Sequence, residues 1–303
     1  MALLSHFQVQ YLGLGFGLIV LALVIGRRDV RYQIMAGGIG LLALAPVLWI
    51  TFPYFGPQPV SEVSTHQTFT LLHANLFARN RQIEQVAQRI QQTQPDIVVL
   101  MEYTEALRQQ LEGQSILKSY AHRWTGKAHL GVYSKYPLLS SQLDFIGPSA
   151  VANGAQLHTW LDLGTQRLHL VVAHPPTPIG ERYFAVQQAH FAAWQQQFTI
   201  STAPVMIVGD LNTTPWSAHF RALTANTSLQ DSQIGQGAWG TWPIFFAPWG
   251  YQTEKSRLWG LLSLIQMPID HVLHTPDIQI LDWQRPTSLG SDHWPIWVRF
   301  SLG

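Results

Sequence analysis

The sequence predicts an α/β domain that follows a hairpin of two transmembrane helices. Hydrophobic residues make up 47% of the 303 residues and charged residues only 12%, roughly half of the usual share of charge. The apolar excess lies mainly in two charge-free segments near the start of the chain. From about residue 68 onward, short apolar runs of strand length alternate with stretches of helical periodicity.

The two apolar segments are predicted to be membrane helices at about residues 7–26 and 34–54, within a unit of residues 1–56. Each is long enough to cross a bilayer at about 1.5 Å per residue. The loop between them contains Arg27, Arg28 and Arg31, and the positive-inside rule places such a loop in the cytoplasm. A cleaved signal peptide is the alternative for the first segment, but no basic region precedes it and no small-residue cleavage site follows it.

Residues 57–67 are predicted to be a linker, and residues 68–303 a separate domain. The first 60 residues hold three of the 18 basic and one of the 17 acidic residues, which leaves 15 and 16 for the rest of the chain. A domain so close to neutral has no overall basic field for a long polyanion. The absence of cysteine excludes disulfides and thiolate metal sites.

Apolar periodicity predicts the elements of this domain in order. A strand at 69–72, a helix at 79–94 and a strand at 97–101 form a parallel crossover unit. Further strands are predicted at 130–134, 156–163, 167–173, 205–208, 269–273 and 297–300, with helices at 181–198 and 217–225.

Polar side chains that can bind a metal or a phosphate recur where the apolar strands end. They are Asn75, Glu102, His174, Asp210, Asn212, Asp270 and the triplet Ser291, Asp292 and His293. Strand ends on one edge of a sheet converge, so these side chains are expected to form one site. Asp210 and Asn212 stand two apart and would project to the same side of an extended chain. An Asx turn that leaves the strand is the alternative use of this pair.

In this order and spacing, the residues resemble the endonuclease/exonuclease/phosphatase superfamily, which has the deoxyribonuclease-I-like fold. The matching pieces are Asn75, His174 and the segments IVVLME (97–102), GVYSKYP (131–137), GDLN (209–212), PIDH (268–271) and GSDHWP (290–295). The two leading apolar segments resemble those of its bacterial membrane-anchored branch. The resemblance implies a four-layer αββα sandwich with the site at one sheet edge.

The resemblance also implies a role for each residue. Glu102 would bind Mg²⁺ (or Mn²⁺) with Asn75 and Asp292, an all-oxygen set suited to these ions. Asp210 would orient or deprotonate the attacking water, and Asp270 would position His293. The residues that would contact the phosphate are Asn212, His174 and His293. Asp144 and Asp162 are the candidate carboxylate partners of His174.

These roles imply a membrane-anchored, metal-dependent phosphoesterase that hydrolyses a phosphodiester or phosphomonoester, with lipid-linked esters among the candidates. The expected location is the bacterial plasma membrane, as a multi-pass protein with its catalytic domain outside the cytoplasm. A nuclease acting on extracytoplasmic DNA or RNA is the alternative within enzymes, and near-neutral charge disfavours it. A catalytically inactive binding protein on the same fold is the alternative from another class. The full set of polar residues disfavours that reading.

Residues 239–267 form a segment rich in aromatic side chains, among them Trp239, Trp242, Phe245, Phe246 and Trp249. Such a segment is either a packed long loop or a wedge that dips into the bilayer interface, because amphipathic aromatic side chains favour that boundary.

Overall fold

A computed structural model describes residues 2–26, 29–56, 67–147, 154–164, 166–201, 203–244 and 265–303. A short 3₁₀ helix, Ala2–Phe7, leads into helix α1, Gln8–Ile25, and helix α2 follows at Val30–Phe55. Helix α2 begins four residues before the predicted start at residue 34. The cause is a cap, since the side chain of Asp29 accepts the backbone N–H groups of Arg31 and Tyr32.

Helices α1 and α2 pack against each other through glycine. A side chain at Gly15 would collide with Leu44, and one at Gly40 would collide with Ile19, so glycine permits the close approach that is common between membrane helices. Both helices are long and apolar enough to span a membrane, and most of their large apolar side chains are exposed.

The rest of the described chain folds into two six-stranded sheets. In chain order the strands are β1 Thr68–Asn75, β2 Ile97–Met101, β3 His122–Thr125, β4 Gly131–Ser134, β5 Leu138–Phe145, β6 Ala155–Asp162, β7 Arg167–Ala173, β8 Val205–Asp210, β9 Gln230–Asp231, β10 Asp270–His274, β11 Ile278–Gln284 and β12 Ile296–Leu302. The first sheet has the order β11-β12-β1-β2-β4-β3 and the second the order β5-β6-β7-β8-β10-β9. Strand pairs β1–β2 and β7–β8 are parallel, as the predicted crossover requires.

Helices cover the outer face of each sheet. Helices α3 Ile83–Thr93 and α4 Glu105–Glu112 pack on the first sheet, and α5 Glu181–Gln197 and α6 Ala218–Asn226 pack on the second. The inner faces of the sheets share one apolar core. The predicted four-layer αββα sandwich is therefore confirmed, and the eight strands and three helices predicted for this domain are all present.

Gly209 on β8 lies at a close contact between the two sheets. A Cβ at this position would lie 1.9 Å from the carbonyl oxygen of Ala173 and 2.4 Å from the terminal methyl of Met101, which belongs to the other sheet. The backbone N–H of Asp210 donates to the sulfur of Met101 at 3.1 Å. Because glycine leaves this space free, the ends of β2, β7 and β8 converge.

Candidate active site

The alternation of side chains along each strand explains why the predicted residues converge. Inner-face positions are apolar along most of each strand and become polar at its end. Strand β1 continues from Leu71 to His73 and Asn75, and β8 continues from Val208 to Asp210. In the same way His174 follows Val172 of β7, and Asp270 precedes Val272 of β10. The apolar core therefore ends in a cluster of polar groups.

Asp270 is the buried anchor of this cluster. Its Oδ2 lies 2.8 Å from Nδ1 of His293, and its Oδ1 lies 3.0 Å from Nε2 of His73. Burial opposes ionisation of Asp270, but attraction to both histidines outweighs it and lowers the pKa of this carboxyl group. Burial likewise opposes protonation of His293, yet Asp270 and Asp210 raise its pKa to about 10. His293 is therefore an imidazolium at neutral pH, held through Nδ1 with Nε2 turned toward Asp210 at 3.7 Å.

Asp210 occupies the centre of the cluster. Its Oδ2 accepts a hydrogen bond from Nδ2 of Asn75 at 3.0 Å and lies 3.4 Å from Nε2 of His174. Its Oδ1 accepts the backbone N–H of Asn212 at 2.9 Å. The Asx turn considered as an alternative is thus present, and it fixes the carboxylate so that the other oxygen faces the cluster. Burial lowers the pKa of His174, but Asp210 more than offsets this and raises it.

Asp144 and Asp162 are not the partners of His174, and both predictions are wrong. Asp144 lies 3.8 Å from His158, and Asp162 accepts the backbone N–H of Gly164. Asp162 pairs with Arg167 at the start of β7, whereas His174 follows its end. Asp144 sits on β5, two strands away from β7, which is about 10 Å at ordinary strand spacing.

Glu102 departs from the strand alternation. If β2 continued as a strand, the side chain of Glu102 would face the helical layer. Its left-handed backbone, with φ of 52°, turns the chain instead. Its Oε1 accepts a hydrogen bond from Nδ2 of Asn75 at 3.2 Å, and its Oε2 accepts one from the backbone N–H of Ala78 at 2.8 Å. A left-handed backbone at a residue other than glycine is a strained conformation that recurs at functional sites.

Asn212 also has a left-handed backbone, with φ of 50°. Its Nδ2 donates to the carbonyl of Pro175 at 3.0 Å, and its Oδ1 accepts the hydroxyl of Thr177 at 3.0 Å. Gln187 of α5 donates to the carbonyl groups of Leu211 and Asn212. The loop after β7 therefore holds the Asn212 amide beside Asp210.

Asp292 lies on the opposite wall. Trp242 donates its indole N–H to Oδ2 of Asp292 at 3.2 Å. Burial raises the pKa of Asp292, the charge of His293 lowers it and the charge of Glu102 raises it further. Asp292 and Glu102 are therefore close enough to repel each other.

One cavity of about 470 Å³ opens onto these groups. It is lined by Glu102, His174, Asp210, Asn212, Asp292 and His293, and by Trp242, Thr177, His6 and Phe7 among others. The cavity has room for a phosphate ester in contact with the predicted residues. His6 and Phe7 come from the 3₁₀ helix that leads into α1.

The donor set fits a divalent cation at the carboxylate wall. Glu102 and Asp292 supply carboxylate oxygens, which Mg²⁺ and Mn²⁺ prefer, and a cation would relieve the repulsion between the two carboxylates. Asn75 turns its Nδ2 toward Glu102 while its Oδ1 accepts a hydrogen bond from the backbone N–H of Phe77, so its amide would have to rotate to add an oxygen ligand. Asp210, Asp270 and His293 also lie within 4.8 Å of one another. However, both oxygens of Asp270 contact histidines and His293 is protonated, so Asp270 and His293 are better described as a hydrogen-bonded pair that faces Asp210 at 3.7 Å.

Five residues of the site, His73, Trp242, Thr177, His6 and Phe7, were not predicted from the sequence. His73 carried a usable signal, because it stands two positions before Asn75 and therefore shares its face of β1. The others depend on contacts between distant parts of the chain. His6, for example, contacts Thr214, which lies 208 positions further along the chain.

The family model of the endonuclease/exonuclease/phosphatase family matches residues 72–293. The chain therefore belongs to this family, whose members hydrolyse phosphate esters and typically depend on a divalent metal. No match was found among curated protein sequences.

Solved structures share the fold at low sequence identity. The endonuclease/exonuclease/phosphatase from Beutenbergia cavernae is 17% identical with a TM-score of 0.60, over 78% of this chain and 72% of that one. D. rerio TDP2 in complex with a single-strand DNA product is 16% identical with a TM-score of 0.60, over 78% and 99%. Sphingomyelinase C from Streptomyces griseocarneus is 17% identical with a TM-score of 0.54, over 77% and 99%.

Proposed function

We propose that this protein is a membrane-anchored, metal-dependent phosphoesterase that cleaves a phosphodiester or phosphomonoester by attack of water in line with the leaving group. The observation that carries the proposal is the environment of Asp210. One oxygen of this buried carboxylate contacts Asn75 and His174 and faces His293 at the cavity floor. A carboxylate fixed beside the imidazoles of His174 and His293 suits proton abstraction from a water next to a bound phosphate.

The remaining residues act on the phosphate. His293, held as an imidazolium by Asp270, presents Nε2 to a phosphoryl oxygen and stabilises the charge that develops there. His174 supplies a second imidazole donor, and the amide of Asn212 supplies another donor once it exchanges the Pro175 carbonyl for substrate. Asn75, Glu102 and Asp292 would hold the divalent cation, which would act as a Lewis acid on the phosphoryl group.

The membrane hairpin supports an extracytoplasmic position for this domain. The start of α1 and the end of α2 both contact the domain, while the turn with Asp29 lies at the far end of both helices. Helix α1 has 18 residues, about 27 Å at its ordinary rise. The domain and the basic loop would thus lie on opposite sides of a bilayer, and the positive-inside rule assigns the loop to the cytoplasm.

The test uses the full chain in detergent micelles with Mg²⁺, Mn²⁺ or EDTA. The substrates are bis(4-nitrophenyl) phosphate, 4-nitrophenyl phosphate, single-stranded DNA and phosphatidylglycerol. We expect hydrolysis that EDTA abolishes and that Asp210→Asn reduces by about 10²-fold or more. Asp144→Asn is the matched control, since this aspartate lies on edge strand β5 away from the cavity, and it should behave as wild type.

Two results would contradict the proposal. One is the absence of metal-dependent hydrolysis of every substrate, which would favour the inactive binding protein. The other is equal activity in Asp210→Asn and the wild type. Preference for single-stranded DNA at physiological salt would instead support the nuclease alternative.

A further inference from the structure

The membrane hairpin is docked onto the segment that follows the Asp210–Asn212 turn. Nδ1 of His6 accepts the backbone N–H of Thr214 at 3.2 Å, and the indole of Trp216 donates to the carbonyl of His6 at 2.9 Å. Tyr54, near the end of α2, packs edge-on against the same Trp216 ring with centroids 6.0 Å apart. The hydroxyl of Tyr54 also donates to Asp231 at 3.3 Å. Both outer ends of the hairpin therefore pack on one patch beside the catalytic cavity.

As a result of this docking, the hairpin supplies part of the wall of the catalytic cavity. His6 and Phe7 line it together with Asp210 and His293. Because Nδ1 of His6 accepts a backbone N–H, the ring is assigned as the neutral tautomer with a proton on Nε2. The residues that precede the first membrane helix thus belong to the site.

A second cavity of about 780 Å³ shares Phe7 with the first. It follows α1 past Tyr11, Gly13 and Leu14, and its other side is formed by Trp239 and Arg285. From Phe7 to Leu14 the helix rises about 10 Å. If α1 spans the bilayer, this groove lies where the outer leaflet meets water.

The chemistry of the groove matches a phospholipid. The guanidinium of Arg285 lies between two indoles, 5.3 Å from the ring centroid of Trp239 and 4.8 Å from that of Trp294. It donates to Oε1 of Gln266 and to the carbonyl of Gly240, and within the described part of the chain no carboxylate pairs with it. The half-buried guanidinium of Arg285, with its two tryptophan neighbours, complements an anionic or ester group. The apolar side chains of α1 in the same groove complement a hydrocarbon chain.

We propose that the groove and the catalytic cavity form one continuous site for a lipid of the surrounding bilayer. The phosphate ester of this lipid occupies the cavity at Asp210 and His293, and its hydrocarbon chain passes Phe7 and lies against α1. This inference rests on the proposed phosphoesterase function and names its substrate class. It makes the anchor a specificity-determining part of the enzyme.

Gly13 offers a direct test of the groove. Gly13 lines the groove, and a Cβ added there meets no other atom within 4 Å, so Gly13→Phe would introduce a bulky side chain at the groove without a clash at its Cβ. Gly17→Phe is the matched control, because Gly17 lies one turn further along α1, is equally open and does not line the groove. The full-length variants are assayed with Mn²⁺ or Mg²⁺ on long-chain phosphatidylglycerol, phosphatidylethanolamine and phosphatidylcholine in mixed micelles, and on soluble bis(4-nitrophenyl) phosphate.

We expect Gly13→Phe to lower kcat/KM for the lipid that the wild type cleaves by about tenfold or more, since displacing two methylene groups suffices for that loss. Hydrolysis of bis(4-nitrophenyl) phosphate should stay within about twofold of the wild type, and Gly17→Phe should change neither rate. Equal losses on lipid and soluble ester, or equal effects of the two variants, would overturn the groove as a substrate site.

The soluble ester and the lipids together distinguish failure of the lipid site from failure of the proposed phosphoesterase function. Hydrolysis of the soluble ester with no hydrolysis of any of the three lipids would reject the lipid site and leave the phosphoesterase proposal intact. Failure to hydrolyse the soluble ester as well as the lipids would count against the phosphoesterase proposal itself.

Discussion

Replacing Gly209 by alanine should disable the site while leaving the protein folded. Gly209 precedes Asp210 on β8, and the carbonyl that an added Cβ would strike belongs to Ala173, which precedes His174. The collision therefore falls next to the pair whose Nε2 and Oδ2 atoms lie 3.4 Å apart. The substitution adds only a methyl group and alters no charged or hydrogen-bonding group.

The size of the effect follows from the distances. The added Cβ would lie 1.9 Å from the Ala173 oxygen, whereas ordinary contact begins at 3.4 Å, so β7 and β8 must separate by about 1.5 Å or shift by a comparable amount. A misplacement of about 1 Å costs roughly 10²-fold in rate. Overpacking of this kind costs about 1–3 kcal/mol in the free energy of unfolding, less than the roughly 5–15 kcal/mol that stabilises a typical domain.

The assay compares turnover of bis(4-nitrophenyl) phosphate with thermal unfolding followed by circular dichroism, both in the same detergent. Gly38→Ala is the control, because an added Cβ at this helical glycine meets no atom within 4 Å, and it should retain wild-type turnover. Wild-type turnover in Gly209→Ala would refute the argument that close approach of the strands positions Asp210 against His174. An equal loss in Gly38→Ala would refute it too.

Four further predictions concern the metal, the catalytic pair, the topology and the response to acid. Glu102→Gln should raise the metal concentration needed for half-maximal activity by about tenfold or more, because the amide keeps the shape but loses the charge; an unchanged metal titration would exclude Glu102 as a ligand. Asp210→Asn and His293→Ala should each reduce turnover by about 10²-fold or more, and the double variant should be scarcely worse, since both act on one transition state; fully additive losses would assign them to separate steps. Protease added to intact spheroplasts should digest the chain beyond about residue 60, whereas complete protection would reverse the proposed orientation. Burial and the neighbouring His158 lower the pKa of His169 to about 4, so between pH 6.5 and 4 this histidine is protonated in the unfolded chain but neutral in the folded protein. The free energy of unfolding should therefore fall by up to about 3 kcal/mol as pH drops from 6.5 to 4. The urea midpoint of His169→Gln should depend less on pH in this window than that of the wild type.

The strands that could be predicted are those with a buried apolar run. Strand β2 reads as five consecutive apolar residues and is fully buried, which is typical of a central strand. Strand β5 escaped prediction because it is an edge strand with mostly exposed side chains, among them Ser140 and Gln142. Helix α4 has only eight residues, too few for a helical period to stand out.

The site residues were predictable individually, whereas most of their contacts were not. Each predicted residue lies at one end of an apolar strand or within a few residues of it, so local pattern finds it. The contact of His174 with Asp210 depends on the parallel register of β7 and β8, in which Val172 faces Val208, and no local pattern encodes that register. Docking of the hairpin is equally non-local, since it joins His6 to Thr214.

The aromatic segment is tested only in part. Trp242 exchanges backbone hydrogen bonds with Met267, and Ile244 is buried, so the segment is packed on the domain where it begins and ends. Phe245, Phe246 and Trp249 lie outside the described residues, and the wedge stays a prediction.

The position of β12 has a consequence for how the protein matures. This last strand lies in the interior of the first sheet, between β11 and the opening strand β1, and the loop that carries His293 immediately precedes it. The first sheet is therefore complete only when β12 pairs with β1, an antiparallel pairing that joins Thr68 to Ser301. Pairing of segments so far apart in the chain is slow, and it is this pairing that fixes the loop with His293 next to Asp270. Assembly of the polar cluster is thus coupled to completion of the first sheet.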